Sequence, residues 1–260
     1  MKYFVVDAFT DKLFKGNPAG VCLLDQQIDE VMMQNIAAEN NLSETAFVLK
    51  TSGGYYLRWF TPEEEVDLCG HATLASAYVI RNSIERGANK FVFFTKSGEL
   101  AVGYKEDLDL YELDFPARPA VMIENIPEFS EAAGCEILEA YLSRDLVLLA
   151  KDEASVKSLI PDIEKMNNFE GCFGIVVTAL GDTSDFVSRF FIPRSVIPED
   201  PVTGSSHCTL IPLWAKRLGK ESLVARQLSG RGGTLYCKNE GGRVKIAGHA
   251  ILYMLGAINL

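Results

Sequence analysis

A chain of 260 residues that is 48% hydrophobic and 23% charged has ordinary globular composition and length enough for two domains that each bury a core. Its net charge of −10 is scattered, with no basic patch to meet phosphates, which argues against a nucleic-acid partner. No apolar run approaches the roughly 20 residues that span a bilayer, and the six cysteines form no CxxC pair. With no secretory leader pattern, the expectation is a cytoplasmic protein with reduced thiols.

Residues 2–9 read as an opening strand, Gly16-Asn17-Pro18 as a turn, and Gly20 to Leu24 as a second strand. Ile28 to Asn41 carries Ile28, Val31, Met32 and Ile36 at helical spacing and ends at Asn40-Asn41. Thr45 to Leu49 and Tyr55 to Phe60 form a hairpin pattern around Gly53-Gly54. His71 to Arg81 is apolar on nearly every side, so a helix there must be wrapped by other elements. Strands are expected at 91–95, 99–104 and 109–115, then at 145–150, 173–179, 185–191, 233–237 and 243–248. Between the second group's strands lies another apolar helix, Cys208 to Leu218. The two prolines of Asp114-Phe115-Pro116-Ala117-Arg118-Pro119 mark a stiff interdomain link and argue against an ordinary central strand. Ala250 to Leu260 reads as a core strand or a docked terminus.

One pattern occurs twice. Arg58-Trp59-Phe60-Thr61-Pro62 is followed by Glu65 to Leu74; Arg189-Phe190-Phe191-Ile192-Pro193 is followed by Glu199 to Leu210. In each copy a strand ends, a proline breaks it, an acidic loop follows, and a glycine opens a helix. Such a repeat predicts two similar domains, each a curled sheet around one central helix, with two helix N-termini aimed at one cleft. Unpaired N–H groups at Gly70 and Gly204 suit a carboxylate, although Ser205 and Thr203 are also ordinary capping types.

Among side chains, His71 opens the first central helix and can orient a substrate or shuttle a proton; His207 and His249 read as structural. Glu44 lies between a helix and a strand, and Asp200 precedes a proline in the second acidic loop. On residue type alone neither acid stands out, because sequence does not report burial. Cys69 precedes a helix start, where the dipole favours thiolate. A two-base racemase needs a facing thiol, but aligning Gly70 with Gly204 puts Thr203 opposite Cys69. Three histidines with no His/Cys cluster give no reason to expect a metal.

The strings Gly16-Asn-Pro-Ala-Gly-Val21, Leu42-Ser-Glu-Thr-Ala-Phe-Val48, Glu65-Val-Asp-Leu-Cys-Gly-His-Ala-Thr-Leu74, Leu113-Asp-Phe-Pro116, Glu199-Asp-Pro-Val-Thr-Gly-Ser205 and Gln227-Leu-Ser-Gly-Arg-Gly-Gly233 together resemble the PhzF family of phenazine-biosynthesis-like isomerases. The resemblance runs through both halves in order, from about residue 1 to 250. It implies an α+β, diaminopimelate epimerase-like fold of two pseudo-symmetric domains, each a curled β-sheet or barrel around a central α-helix. The domains expected are 1–116, with 249–260 packing back on it, and 117–248, with the active site in the cleft between them. It also implies a cofactor-free enzyme, a homodimer, that moves a proton on a small carboxylate such as trans-2,3-dihydro-3-hydroxyanthranilate or an analogue. Carried over residue by residue, Glu44 matches the principal acid/base, His71 and Asp200 match assisting side chains, and Gly70, Gly204 and Ser205 match substrate-binding positions. Two departures stand out: a chain somewhat short around 117–150, and Ser206 where alanine often follows the Gly-Ser. Two competing readings are an amino-acid epimerase using Cys69 and a non-catalytic binding protein on the same fold.

Overall fold

The computed structural model describes residues 1–260. Two compact units form: Met1–Asp114 together with Ala247–Leu260, and Phe115–Ile246.

The first unit begins with strands β1 (Lys2–Ala8) and β2 (Asn17–Leu24), then helix α1 (Glu30–Asn40). Asp29 caps α1 by accepting the Met32 N–H at 2.7 Å, and Asn41 closes it in the left-handed region at φ 50°. Strands β3 (Glu44–Lys50), β4 (Tyr55–Phe60) and the short β5 (Glu65–Val66) lead to helix α2 (Gly70–Ser83), and β6 (Lys90–Thr95), β7 (Gly98–Lys105) and β8 (Leu110–Pro116) follow. The ladder runs β1–β2 antiparallel, β2–β3 parallel, β3–β4 antiparallel, β4–β6 parallel, β6–β7 and β7–β8 antiparallel. Every residue from Gly70 to Ala77 is buried, because α2 packs on β1, β2, β3 and β7, which lie at different places in the ladder. A sheet reaches around one helix in that way only if it curls, and the small side chains of Ala72, Ala75 and Ala77 allow the close approach.

The second unit repeats the plan. It holds β9 (Val121–Ile123), α3 (Pro127–Ala133), β10 (Ile137–Leu142), β11 (Leu146–Ala150), α4 (Glu153–Lys157), α5 (Ile163–Met166), β12 (Ile175–Leu180), β13 (Phe186–Phe191), β14 (Glu199–Asp200), α6 (Gly204–Leu218), β15 (Ser222–Gln227), β16 (Gly233–Asn239) and β17 (Arg243–Gly248). Its parallel pairs, β11–β12 and β13–β15, fall where β2–β3 and β4–β6 fall in the first unit. β14 pairs with β13 as β5 pairs with β4, setting Glu199 opposite Phe191 and Glu65 opposite Phe60. Pro212 sits inside α6 and cannot donate to the carbonyl of Cys208; the Arg118 N–H takes that carbonyl instead, at 2.9 Å. Trp214 stacks on Phe186 and gives its indole N–H to Thr178 Oγ1 at 3.0 Å, so this buried ring is packed and satisfied.

The last strand, β18 (Ala250–Ala257), pairs antiparallel with β1. This corrects the expectation of a core strand: from Leu252 onward its side chains are exposed. The chain passes from one unit to the other between Asp114 and Phe115, inside the proline-rich segment, but the expectation that its prolines bar a strand is corrected, since β8 continues through Pro116 at its final position, where a missing N–H breaks the ladder least. Strands β9, β10 and β15 and helices α3, α4 and α5 escaped the sequence reading. They are short, and charged residues such as Glu139 and Arg226 interrupt their apolar pattern.

Candidate active site

Glu44 opens β3, Asn17 opens β2, and His71 is the second residue of α2. Because β2 and β3 run parallel, with Ala19 opposite Glu44, their first residues share one end of the sheet, and the α2 N-terminus lies there too. His71 Nε2 stands 3.2 Å from Glu44 Oε2, close but not aligned as a hydrogen bond. The other ring nitrogen, Nδ1, meets two donors: Asn17 Nδ2 at 3.2 Å and Cys69 Sγ at 3.4 Å. Both converge on one lone pair, so Nδ1 accepts and the ring proton sits on Nε2, facing the carboxylate. Burial pushes His71 down to about 3, which leaves the ring neutral at pH 7. The His71 ring beside Glu44 is therefore neutral, and the contact is not an ion pair. Glu44, with 19% of its side chain exposed, is the member of the group that reaches solvent.

Both central helices start without a side-chain cap. Cys69 and Thr203 occupy the N-cap positions of α2 and α6, and neither side chain bonds a first-turn N–H. The expected capping role of Thr203 is corrected here: its hydroxyl donates to Asp200 Oδ2 at 2.5 Å. The capping role offered for Ser205 is not filled either, since it lies inside α6 and its Oγ accepts Arg144 Nη2 at 3.0 Å. Sequence reading gave no role to Gln227, which opens one of the family strings; it is fully buried and ties this loop together. It accepts the Thr203 N–H at 2.9 Å and donates to the Asp200 carbonyl at 2.7 Å. Arg144, also missed, forks onto buried Asp145 at 3.1 Å and lies over the Phe173 ring. Nothing in the repeat marks either residue. His207 Nδ1 lies 2.8 Å from the Thr203 carbonyl, and burial pushes its pKa down to about 4.

Thus Glu44, Gly70 and His71 come together in the first unit, and Asp200, Gly204 and Ser205 in the second. Each acidic loop is fastened by the arginine that ends the preceding strand. Arg58 grips Glu65 at 2.6 and 2.7 Å, and Arg189 grips Glu199 at 2.7 and 2.9 Å. Each guanidinium also lies over the phenylalanine two residues on, Phe60 or Phe191. A cavity of about 410 Å³ in the first unit is lined by Leu24, Met33, Phe47, Tyr56, Arg58 and Lys96, and Glu44 and His71 take no part in it. Its cations are already matched by Glu65 and Glu30, which gives a charged ligand no purchase.

The sequence offered no His/Cys cluster, yet one ligand atom each from Glu44, Cys69 and His71 lies within 4.8 Å of the other two. The expectation that no such cluster exists is corrected, because Glu44 reaches the Cys69–His71 pair only through the fold.

The phenazine biosynthesis-like (PhzC-PhzF) family model matches residues 6–256. An uncharacterized isomerase of Pseudomonas aeruginosa is 46% identical over 257 residues, covering 99% of this chain and 98% of that one, so no shortening around 117–150 sets this chain apart from that relative. A crystal structure of a PhzF-family phenazine biosynthesis protein from Enterococcus faecalis superposes with a TM-score of 0.97 at 49% identity, covering 100% of this chain and 99% of that one. A probable proline racemase from Agrobacterium radiobacter shares the fold alone, with a TM-score of 0.66 at 10% identity over 100% of this chain and 93% of that one. These matches make the fold α+β and diaminopimelate epimerase-like. The chain belongs to the phenazine biosynthesis-like PhzC/PhzF family.

Proposed function

We propose that the protein is an isomerase that moves a proton between carbons of a small carboxylate, without a cofactor, using Glu44 as general acid and base. The observation that carries this reading is the neutral His71 ring, which turns its Nε2–H toward Glu44 while two donors hold Nδ1. In the forward direction Glu44 takes a proton from a carbon of the substrate, and the carbon's electron pair delocalises into the adjacent π system. Glu44 then returns that proton to a second carbon, so the reaction is redox-neutral and the carboxylate is regenerated. The Nε2–H of His71 orients the carboxylate and steadies its charge between the two transfers.

Asp200, Gly70, Gly204 and Ser205 are assigned to holding the substrate, with first-turn N–H groups receiving its carboxylate. The starts of α2 and α6, where the N-cap side chain bonds no first-turn N–H, support this. Relatives named as isomerases support the reaction class. The substrate proposed is trans-2,3-dihydro-3-hydroxyanthranilate or a compound of the same kind, and a cytoplasmic homodimer is proposed with it.

The second reading, an epimerase using Cys69, has one observation in its favour: the thiol lies 3.4 Å from a histidine nitrogen. The equivalent N-cap position in the other unit is Thr203, however, and Cys208 is buried inside α6, so a thiol partner is lacking. Proton NMR in D₂O separates the readings. Wild type and Glu44→Gln are compared on trans-2,3-dihydro-3-hydroxyanthranilate and a panel of small amino and hydroxy acids. Isomerisation or deuterium uptake lost in Glu44→Gln supports the carboxylate mechanism. Turnover retained in that variant but abolished by iodoacetamide transfers the chemistry to Cys69.

A further inference from the structure

We infer that the cavity at the C-terminal end of α2 is a second binding site, which takes a zwitterionic amino acid with its carboxylate on Arg81 and its ammonium group on Asp11 and Asp109. The site does not depend on the isomerase reading, because none of its lining residues belongs to the Glu44–His71 group. Arg81 lies 81 − 71 = 10 residues beyond His71 on α2, about 15 Å along the helix, so one small ligand does not reach both.

The cavity holds about 290 Å³, lies wholly within the first unit, and has charges of both signs on its walls. The Arg81 guanidinium is half-buried and has no acid paired with it, and its Nε is closed to solvent without an acceptor. What holds it is a stack, with Cζ 3.8 Å from the centre of the Tyr104 ring. A stacked guanidinium spends its face on the ring and keeps its N–H donors, which radiate in its plane, for an acceptor. Asp11 and Asp109 line the same cavity, yet neither pairs with Arg81. Tyr104 stands between the charges: Arg81 covers its face, while its hydroxyl donates to Asp109 Oδ1 at 2.7 Å. Asp109 is fixed from a second side, since its carbonyl accepts His249 Nδ1–H at 2.8 Å. It sits in the left-handed region at φ 52°, which aspartate tolerates better than most residues.

Opposite charges that share a cavity without meeting fit a ligand that carries both. A simple carboxylate gives Arg81 its counter-charge but faces Asp11 and Asp109, and a simple amine meets the reverse conflict. A zwitterion matches both and brings no net charge into a half-buried place. Tyr78, Tyr111 and Ile251 form the rest of the wall, and their rings and methyl groups suit an aromatic side chain. The Tyr111 oxygen accepts from Asn82 Nδ2 at 3.4 Å, and the Tyr78 oxygen accepts the Leu252 N–H. Each phenol therefore keeps its own O–H to give to the ligand.

The test is NMR titration of protein carrying nitrogen-15 histidine with L-phenylalanine. The three histidines report on three places: His249 lines the cavity, His71 faces Glu44, and His207 lies in the second unit. His249→Gln assigns the first signal. Saturable movement of the His249 signals is expected, with those of His71 and His207 in place. 3-Phenylpropanoate lacks the ammonium group and 2-phenylethylamine lacks the carboxylate, and each is expected to bind about 10- to 100-fold more weakly. Arg81→Met is expected to weaken phenylalanine binding by a similar factor. Because that variant can disturb the Tyr104 packing, the two analogues probe the same charges in the unaltered protein. His249 signals that do not move overturn the site, as does movement of His71 while His249 stays still. Unchanged affinity in a folded Arg81→Met protein, or phenylethylamine binding as tightly as phenylalanine, overturns the role of Arg81. Phenylpropanoate binding as tightly as phenylalanine overturns the role of the two acids. Glu44→Gln is expected to leave the His249 titration unchanged. If the proton-transfer assay finds no turnover while His249 still titrates, the isomerase reading falls and this site stands.

Discussion

Asn17 Nδ2 lies 3.2 Å from Nδ1 of His71, and the opposite nitrogen of that ring faces Glu44. The amide sits at the first position of β2 and is fully buried, so it holds the ring from behind. Its position explains how a residue with no acid or base chemistry governs the proton on one that has both.

The first prediction follows from that relationship. Asn17→Leu removes a donor to Nδ1 and weakens the preference for the proton on Nε2. Nitrogen-15 NMR of labelled protein is expected to show wild-type His71 neutral with Nε2 protonated, and a mixed tautomer signal in the variant. Turnover is expected to fall about 10- to 100-fold with little change in KM, whereas Asn17→Gln, which keeps the amide, recovers part of it. A loss confined to thermal stability, with the tautomer unchanged, counts against the positioning role.

Glu44→Gln and Glu44→Asp test the acid/base itself. The glutamine variant is nearly isosteric and is expected to lose about 100- to 10,000-fold in kcat with the fold intact. Aspartate keeps a carboxylate but withdraws it by one methylene, so an intermediate rate is expected. Circular dichroism beside the NMR assay separates lost chemistry from lost structure.

The fastened loops give a stability prediction. Burial disfavours ionised Glu65, but hydrogen bonds from Arg58 and Lys96 outweigh it and hold the carboxyl below its usual range. Arg58→Met strands Glu65, whose side chain is 7% exposed, with Lys96 as its remaining cation. A cost of about 2 kcal/mol in urea unfolding is expected, with a smaller cost for the double variant Arg58→Met/Glu65→Met, because the buried acid is then gone too. Arg189→Met in the second unit is expected to behave alike, with Glu199 in the place of Glu65.

Acid sensitivity has a definite sign. Burial lowers the His207 pKa from 6.5 to about 4, with the hydrogen bond to the Thr203 carbonyl opposing it. Between those values the unfolded chain binds a proton that the folded one refuses, so stability is full above pH 6.5 and falls as pH drops toward 4. The contribution to the slope is at most about 1.4 kcal/mol per pH unit. His207→Asn is expected to flatten the dependence of Tm on pH in this window. A slope unchanged by that variant shows that His207 is not the group responsible.

Much of the architecture was legible in the residues. The repeated run from arginine through proline to a helix-opening glycine marks both central helices, and the all-round apolar character of α2 requires a sheet wrapped about it. Asn40-Asn41 marks the end of α1 because asparagine tolerates the left-handed backbone that closes a helix. The exposure of β18 was not legible. An apolar run looks the same whether or not a core covers it.

The sequence by itself determined two sheet-wrapped helices with glycine starts, the acids and histidines near them, and the motifs that carry the family. Tertiary structure alone decided that positions 17, 44, 69 and 71 meet. Parallel pairing of β2 with β3 puts the first residues of two strands at one end, and α2 begins against that end. Spacing along the chain carries no trace of such an approach, since it depends on which strand neighbours which. The protonation state was hidden for the same reason: the His71 ring is neutral because of what surrounds it, and burial is a property of the folded chain.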